Sequence, residues 1–111
     1  MPNQIFQKAI PNSILFDFLE KYAIKYKKYF LITKETFKRA KFNNDIDIFY
    51  KKIMEYYQRC KQFYITRKQS YKRLITIIRQ ICKHNHLAFT SKIQYDKSNY
   101  EIQYYVFIPQ A

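Results

Sequence analysis

A row of polar and positively charged side chains recurs at three- and four-residue intervals in the second half of the chain. On a helix, these intervals place all of the side chains on one face. Lysine ammonium groups release counterions from a nucleic-acid backbone, and an arginine guanidinium can grip a phosphate or a guanine with two hydrogen bonds. The spacing therefore predicts a helical surface that contacts a polyanion. The members of the row are Lys68, Lys72, Thr76, Arg79 and Lys83.

Acids are excluded from the region around this row. Between Glu55 and Asp96 there are 40 residues with no acid and nine bases. Like charges at i, i+4 repel one another, and a solvated helix face usually mixes both signs. A solvated face remains the alternative explanation, because most charged stripes on helices are of that kind. The candidate nucleic-acid-binding residues are Arg67, Lys68, Lys72, Arg73, Arg79, Lys83, Lys92 and Lys97.

Other chemistry has weaker support in the sequence. Cys82, His84 and His86 lie close together, but their C-x-H-x-H spacing matches no common structural zinc site. Nothing marks an orienting group or an oxyanion site around a cysteine and histidine pair. The chain has no glycine, which excludes the glycine-rich phosphate loops of NTPases and dinucleotide-binding enzymes. We therefore predict no enzyme, no catalytic residue, no metal and no cofactor.

Length and composition predict one small folded domain. The chain has 111 residues, of which 48% are hydrophobic and 20% aromatic, enough for one core. The absence of Gly and Trp and the abundance of Ile, Lys, Tyr, Phe and Asn are typical of a very AT-rich genome. That bias explains part of the net charge of +13, but it does not penalise acidic codons. The excess of 21 bases over eight acids therefore favours a polyanionic partner as well.

The sequence also predicts a location. No apolar run approaches the roughly 18 residues of a membrane span, so no membrane partner is expected. Residues 1–8 lack the pattern of a secretory signal, which favours an intracellular protein. Cys60 and Cys82 are then expected to be reduced and mostly buried.

The positions of the prolines suggest a domain spanning 1–111 with an ordered core of about 12–108. Asn12 or Ser13 can cap a first helix, whose apolar positions continue to Tyr22 or Tyr26. A short strand is predicted over 29–32, and Thr33 can cap a short helix that follows it.

Two further helices and a hairpin complete the predicted order of elements. A turn signal at 43–45 opens a helix whose apolar face continues to Cys60. Thr66 and Gln69 stand at capping-box spacing and open a basic helix over 66–84, with Leu74 and Ile78 on its core face. The period then changes from 3.6 to 2, which predicts a hairpin turning at 96–99.

These elements predict an α+β fold with three to four helices followed by a C-terminal β-hairpin. Their order is also that of a winged helix, in which a small sheet lies beside a helix-turn-helix core. The aromatic residues near the basic row, such as Tyr56, Tyr64 and Tyr71, are assigned mainly to the core. Tyr105 and Phe107 occupy the second face of the last strand and are candidates for an exposed surface, which could bind a protein.

Two segments of the chain carry a resemblance to a known group of proteins. The segments KQFYITRK at 61–68 and IIRQICK at 77–83 resemble small uncharacterised proteins of giant, nucleocytoplasmic large DNA viruses. The resemblance implies a location inside the host cell, in the cytoplasm or the nucleus, or else in the virion. It also implies that a small basic protein would package or regulate DNA, or fill gaps in the virion.

Two functions follow as expectations. The first is non-enzymatic binding of nucleic acid, DNA above all, through the basic helix 66–84, with the hairpin tip as a wing. The alternative is a virion-associated structural protein or an adaptor that meets a viral or host protein partner through its aromatic surface.

Overall fold

The computed structural model describes residues 10–56 and 69–110, which form four helices and one four-stranded antiparallel sheet. The predicted α+β class, the strand at 29–32 and the C-terminal hairpin are confirmed. None of the described helices is long and apolar enough to cross a membrane. The elements in chain order are α1 Asn12–Tyr22, β1 Ile24–Lys25, β2 Tyr29–Ile32, α2 Lys34–Phe42, α3 Asp45–Met54, α4 Tyr71–His84, β3 Phe89–Asp96 and β4 Asn99–Phe107.

The strand between the first two helices is joined to the C-terminal hairpin. The sheet order is β1-β2-β4-β3, and every neighbouring pair is antiparallel. Phe30 of β2 lies opposite Val106 of β4, and Phe89 of β3 lies opposite the other side of Val106. Side chains opposite one another share a face of a sheet, so these three define its inner face.

The helices cover the inner face of the sheet where β2 meets β4. Phe30, Ile32 and Val106 are buried there in a single core with the apolar faces of the four helices. The helical periodicity of the sequence locates most of this core correctly. Its buried helical residues include Leu15, Phe18, Leu19, Tyr22, Ile46, Phe49, Tyr50, Ile53, Leu74, Ile75, Ile78, Ile81 and Cys82.

The helix ends agree with the prediction in part. α1 ends at Tyr22, the first of its two predicted limits, and Tyr26 is 45% exposed, because the chain enters β1, a strand that the sequence pattern did not predict. α3 ends at Met54 instead of continuing to Cys60, which lies outside the described residues. Thr33 precedes α2 as predicted, and the Thr36 hydroxyl accepts a hydrogen bond from the Thr33 backbone N–H at 3.1 Å.

The chain has no glycine for positions that need a left-handed backbone. Asn44, His86 and Lys97 take these positions instead, with φ angles of 59°, 57° and 55°. Asn44 precedes α3, His86 follows α4, and Lys97 lies in the hairpin turn. Each of these tight changes of direction is therefore made by a residue with a Cβ atom, at some cost in stability.

Candidate nucleic-acid interface

The basic helix begins later than predicted. Ser70 has an extended backbone, and its hydroxyl accepts a hydrogen bond from the Arg73 N–H at 3.1 Å. Ser70 is therefore the N-cap of α4, and the proposed start at Thr66 is wrong. Thr66 lies outside the described residues, as do the candidate nucleic-acid-binding residues Arg67 and Lys68. The row that the structure defines begins at Lys72.

One side of α4 is fixed against the sheet. The apolar side chains of α4 are buried along its whole length, from Leu74 to Cys82. At its N-terminal end the Tyr71 hydroxyl lies 3.3 Å from the carbonyl oxygen of Ile32 and 3.1 Å from that of Ile102. This hydroxyl bridges β2 and β4, and burial raises the pKa of Tyr71 above its usual value.

The opposite side of α4 carries an exposed row of polar side chains. Lys72, Thr76, Arg79 and Lys83 are all exposed. With a rise of about 1.5 Å per residue, the row extends roughly 16 Å along the helix axis. The Thr76 hydroxyl donates a hydrogen bond to the Lys72 carbonyl oxygen at 2.9 Å. Because threonine has no charge, the positive charge of the row comes from its other three residues. We call Lys72, Thr76, Arg79 and Lys83 the α4 row.

Arg79 connects the α4 row to the hairpin. Its guanidinium carbon lies 5.4 Å from the ring centre of Phe89 and 6.0 Å from that of Tyr104. The two rings stack on each other with their centres 5.8 Å apart. Cation–π contacts of this kind hold the side chain in place while leaving its outer edge in water. The α4 row consequently borders the hairpin instead of standing alone.

Arg73 does not belong to the α4 row. It is half-buried on a different side of α4, with its guanidinium carbon 5.8 Å from the ring centre of Tyr50 in α3. This contact directs the side chain towards the core helices. Its position does not support the predicted phosphate contact.

The hairpin separates the two remaining candidate residues. Lys92 is exposed, but it lies on the face of β3 that alternates with Phe89, so it points away from the α4 row. Lys97 is exposed in the two-residue turn next to Asp96, whose charge opposes its own. Of the six predicted residues that the structure describes, it therefore brings three together: Lys72, Arg79 and Lys83.

Three acids of the described chain form ion pairs away from the α4 row. Asp45 accepts hydrogen bonds from Lys21, at 2.8 Å, and from the Tyr22 hydroxyl, and these partners hold its pKa below the usual value. Lys25 pairs with Glu20 at 2.6 Å, and Lys38 pairs with Glu35 at 3.6 Å. These described ion pairs lie on α1, β1, α2 and α3. None of them neutralises a cation of the α4 row.

A shallow depression of about 400 Å³ lies between α1 and α2. Three bases line it, but each has an internal partner: Lys21 pairs with Asp45, Lys38 pairs with Glu35, and Arg39 donates to the carbonyl oxygen of Tyr22. The depression therefore has less positive charge available for a ligand than the α4 row.

The outer face of the sheet carries an aromatic cluster. The Tyr29 ring centre lies 4.9 Å from that of Tyr26, 5.2 Å from that of Tyr105 and 5.7 Å from that of Phe107. The alternation of residues in β4 predicted an exposed surface at Tyr105 and Phe107. Tyr29 was not predicted to join them, because the pairing of β2 with β4 is not visible in the sequence.

Cys82 lies in the core and His86 lies in the turn that ends α4. Cys82 is a free thiol in the core, and burial raises its pKa to about 12. His86 has the left-handed backbone that ends α4. In the part of the chain that the structure describes, no three His, Cys, Asp or Glu side chains are grouped as a metal site would require.

No family model, curated protein or solved structure matches this chain. The resemblance to giant-virus proteins, and the host-cell location that it implies, therefore stay predictions.

Proposed function

We propose that this protein is a non-enzymatic nucleic-acid-binding domain that contacts the phosphate backbone of duplex DNA with the α4 row. The observation that carries the proposal is the exposure of Lys72, Arg79 and Lys83 along one edge of α4, with no ion pair to a described acid. Cations that have no ion pair to a described acid are available to neutralise phosphates and release counterions.

The neighbouring hairpin supports the same function. The sheet order β2-β4-β3 and the order of the preceding helices are compatible with a winged helix, so the proposal assigns α4 as the recognition helix and β3–β4 as the wing. The β3 strand is exposed from Thr90 to Asp96, so the hairpin projects beyond the helices. In this proposal α4 follows the backbone and the wing lies beside it.

The test compares two triple variants with the same loss of charge. One replaces Lys72, Arg79 and Lys83 with Gln, and the other replaces Lys34, Lys38 and Lys41 of α2 with Gln. Both sets are exposed, and the spacing within each set places its three residues on one face of a helix. Both variants lower the net charge from +13 to +10. Binding to a fluorescent 20-base-pair duplex, of roughly two helical turns, would be measured by anisotropy at several salt concentrations.

We expect the α4 variant to lose at least about tenfold in affinity, with a plot of log K against log salt that is less steep by about 3. The α2 variant should stay within about threefold of the wild type, a loss of about 0.65 kcal/mol. Equal losses in both variants would show that only net charge matters. Wild-type affinity that is indifferent to salt would contradict the proposal directly.

The virion or adaptor function makes a different prediction for the same α4 variant. If the protein works by binding another protein through its aromatic surface, removing three cations from α4 leaves that binding intact. The observation that favours this second candidate is the aromatic cluster on the outer sheet face.

A further inference from the structure

The outer face of the sheet is a surface distinct from the α4 row. Tyr29 and Phe107 lie opposite each other in β2 and β4, and Leu31 lies opposite Tyr105. These four side chains alternate with the buried inner-face residues Phe30 and Val106, so they point away from the core. None of the four belongs to the core of the described chain or packs against it.

We propose that this outer face is a stacking platform for the unpaired bases of single-stranded nucleic acid. The platform consists of Tyr26, Tyr29, Tyr105 and Phe107. This proposal rests on the proposed function in one respect, namely that the ligand is a nucleic acid, and it adds a second site with a different preference.

The rings provide the surface that bases need. Tyr26 is 45% exposed and Phe107 is 37% exposed, while Tyr29 and Tyr105 are half-buried between them. Tyr105 and Phe107 are two residues apart on one strand, so their side chains emerge about 7 Å from each other. Every nucleobase has a π-face, so a ring cluster of this kind binds single strands with little dependence on sequence.

The backbone fixes the ring cluster in place. The Tyr26 N–H donates to the Tyr29 carbonyl oxygen at 2.8 Å, which closes the turn between β1 and β2. The Ile108 N–H donates to the Lys28 carbonyl oxygen at 2.8 Å, which ties this turn to the end of β4. The ring pairs therefore stand on a hydrogen-bonded frame, which lowers the entropy that binding would cost.

The charge around the platform favours nucleic acid over protein. Lys27 and Lys28 are exposed in the turn beside Tyr29, and Lys92 lies on the same face of the sheet in β3. Glu101, the acid on this face of β4, lies further out towards the hairpin tip. Lysine is depleted in protein–protein interfaces, whereas a positive border around aromatic rings is typical of single-strand sites.

The test uses two double variants in the hairpin. Tyr105→Leu with Phe107→Leu removes two rings of the platform but keeps apolar side chains. Tyr95→Leu with Tyr100→Leu is the matched control, because it removes two exposed rings from the opposite face of the same hairpin. Circular dichroism would confirm that both variants fold, and a fluorescent oligo(dT) 12-mer and a duplex would be the probes.

We expect the platform variant to bind oligo(dT) more weakly than the wild type. The loss should be about 5- to 100-fold for each removed ring that stacks on a base. The control variant should bind oligo(dT) like the wild type, and the platform variant should bind duplex like the wild type. Equal oligo(dT) affinity in the platform variant and the wild type would overturn the proposal. The proposal would also be overturned if the wild type self-associates and the platform variant does not, while both bind oligo(dT) equally well.

A second measurement needs no variant. Ultraviolet cross-linking of the wild type to an oligomer containing 5-bromodeoxyuridine should yield adducts on Tyr29, Tyr105 or Phe107. Adducts confined to Tyr95, Tyr100 or α4 would contradict the proposal.

The outcomes separate the two proposed sites. If duplex binding depends on the α4 row but oligo(dT) binding does not depend on the platform, this inference fails and the proposed function stands. If the wild type binds neither probe at low salt, both fail.

Discussion

At the scale of single residues, His86 shows how a chain without glycine ends a helix. The Leu87 N–H donates to the Cys82 carbonyl oxygen at 2.8 Å, and the His86 N–H donates to that of Lys83 at 3.4 Å. This is the Schellman pattern, in which the residue at the His86 position is usually glycine. The hydrogen bonds and the burial of Leu87 hold His86 in a conformation that its Cβ atom disfavours.

The His86→Gly variant should therefore be more stable than the wild type. A left-handed backbone costs roughly 1–2 kcal/mol for a residue with a Cβ atom, and glycine recovers part of this, so we expect a gain of about 1 kcal/mol. Urea unfolding followed by circular dichroism would measure it. His84→Gly is the matched control and should cost about 1 kcal/mol, because His84 is the last residue of α4 itself. A loss of stability in both variants would contradict this explanation.

Asp45 makes a residue-scale link between α1 and α3. Lys21 and the Tyr22 hydroxyl donate to its carboxylate and hold its pKa in the folded protein below the usual value. A carboxyl group with a lowered pKa stabilises the fold above its unfolded pKa of about 3.9, and this stabilisation is lost as the pH falls through the folded pKa.

The Asp45→Asn variant should consequently have a lower Tm than the wild type at pH 7. The difference in Tm should shrink as the pH is lowered below about 4, because the wild type then becomes protonated at the same position. Thermal unfolding across the pH range 2–7 would measure both, with roughly one-unit steps around the pKa of aspartate. A difference in Tm that is constant over this range would show that the charge of Asp45 is not responsible.

At the scale of elements, the hairpin has two different halves. Near the helices Phe89 and Val106 belong to the core or pack against it, whereas Ile93, Tyr95 and Tyr100 are 47%, 70% and 63% exposed further out. The alternating pattern identified both strands, but it did not show how far along them burial extends. The outer half has no helix beneath it in the described chain, so its apolar residues face water.

The charges at the hairpin tip test whether the hairpin acts as a wing. If the tip lies near phosphates, Lys97→Gln should weaken duplex binding about two- to threefold and Asp96→Asn should strengthen it by a similar factor. These effects are small because the two opposite charges are adjacent and exposed at the tip. Anisotropy at low salt would measure both variants. Unchanged affinity in both would place the tip away from the DNA and leave the α4 row as the contact.

At the scale of the whole molecule, charge is distributed unevenly along the chain and over the fold. Residues 1–55 contain 11 bases and six acids, whereas residues 56–95 contain nine bases and no acid. The described ion pairs lie among the first three helices and β1. A positive field of this kind attracts polyanions, and salt weakens it.

The sequence by itself determined the class of fold, most of the core and the exposed side of α4. These depend on local periodicity: a 3.6-residue repeat buries Leu74 and Ile78 and exposes Lys72 and Arg79 on the other side of the same helix. The period of two likewise identified the hairpin. The boundary at Ser70 was not identified, because Thr66 with Gln69 matched a capping pattern equally well.

Only the tertiary structure decided which residues act together. Arg73 and Arg79 are both arginines of α4, but Arg73 packs over Tyr50 while Arg79 packs over Phe89 and Tyr104 and stays exposed. Asn12 is a fitting helix cap by type, yet its side chain accepts a hydrogen bond from Asn85 at 2.8 Å. The pairing of β2 with β4 joins Tyr29 to Phe107, which are far apart in the chain. Such contacts depend on how elements that are far apart in the sequence pack together, and the local spacing of residues does not reveal that packing.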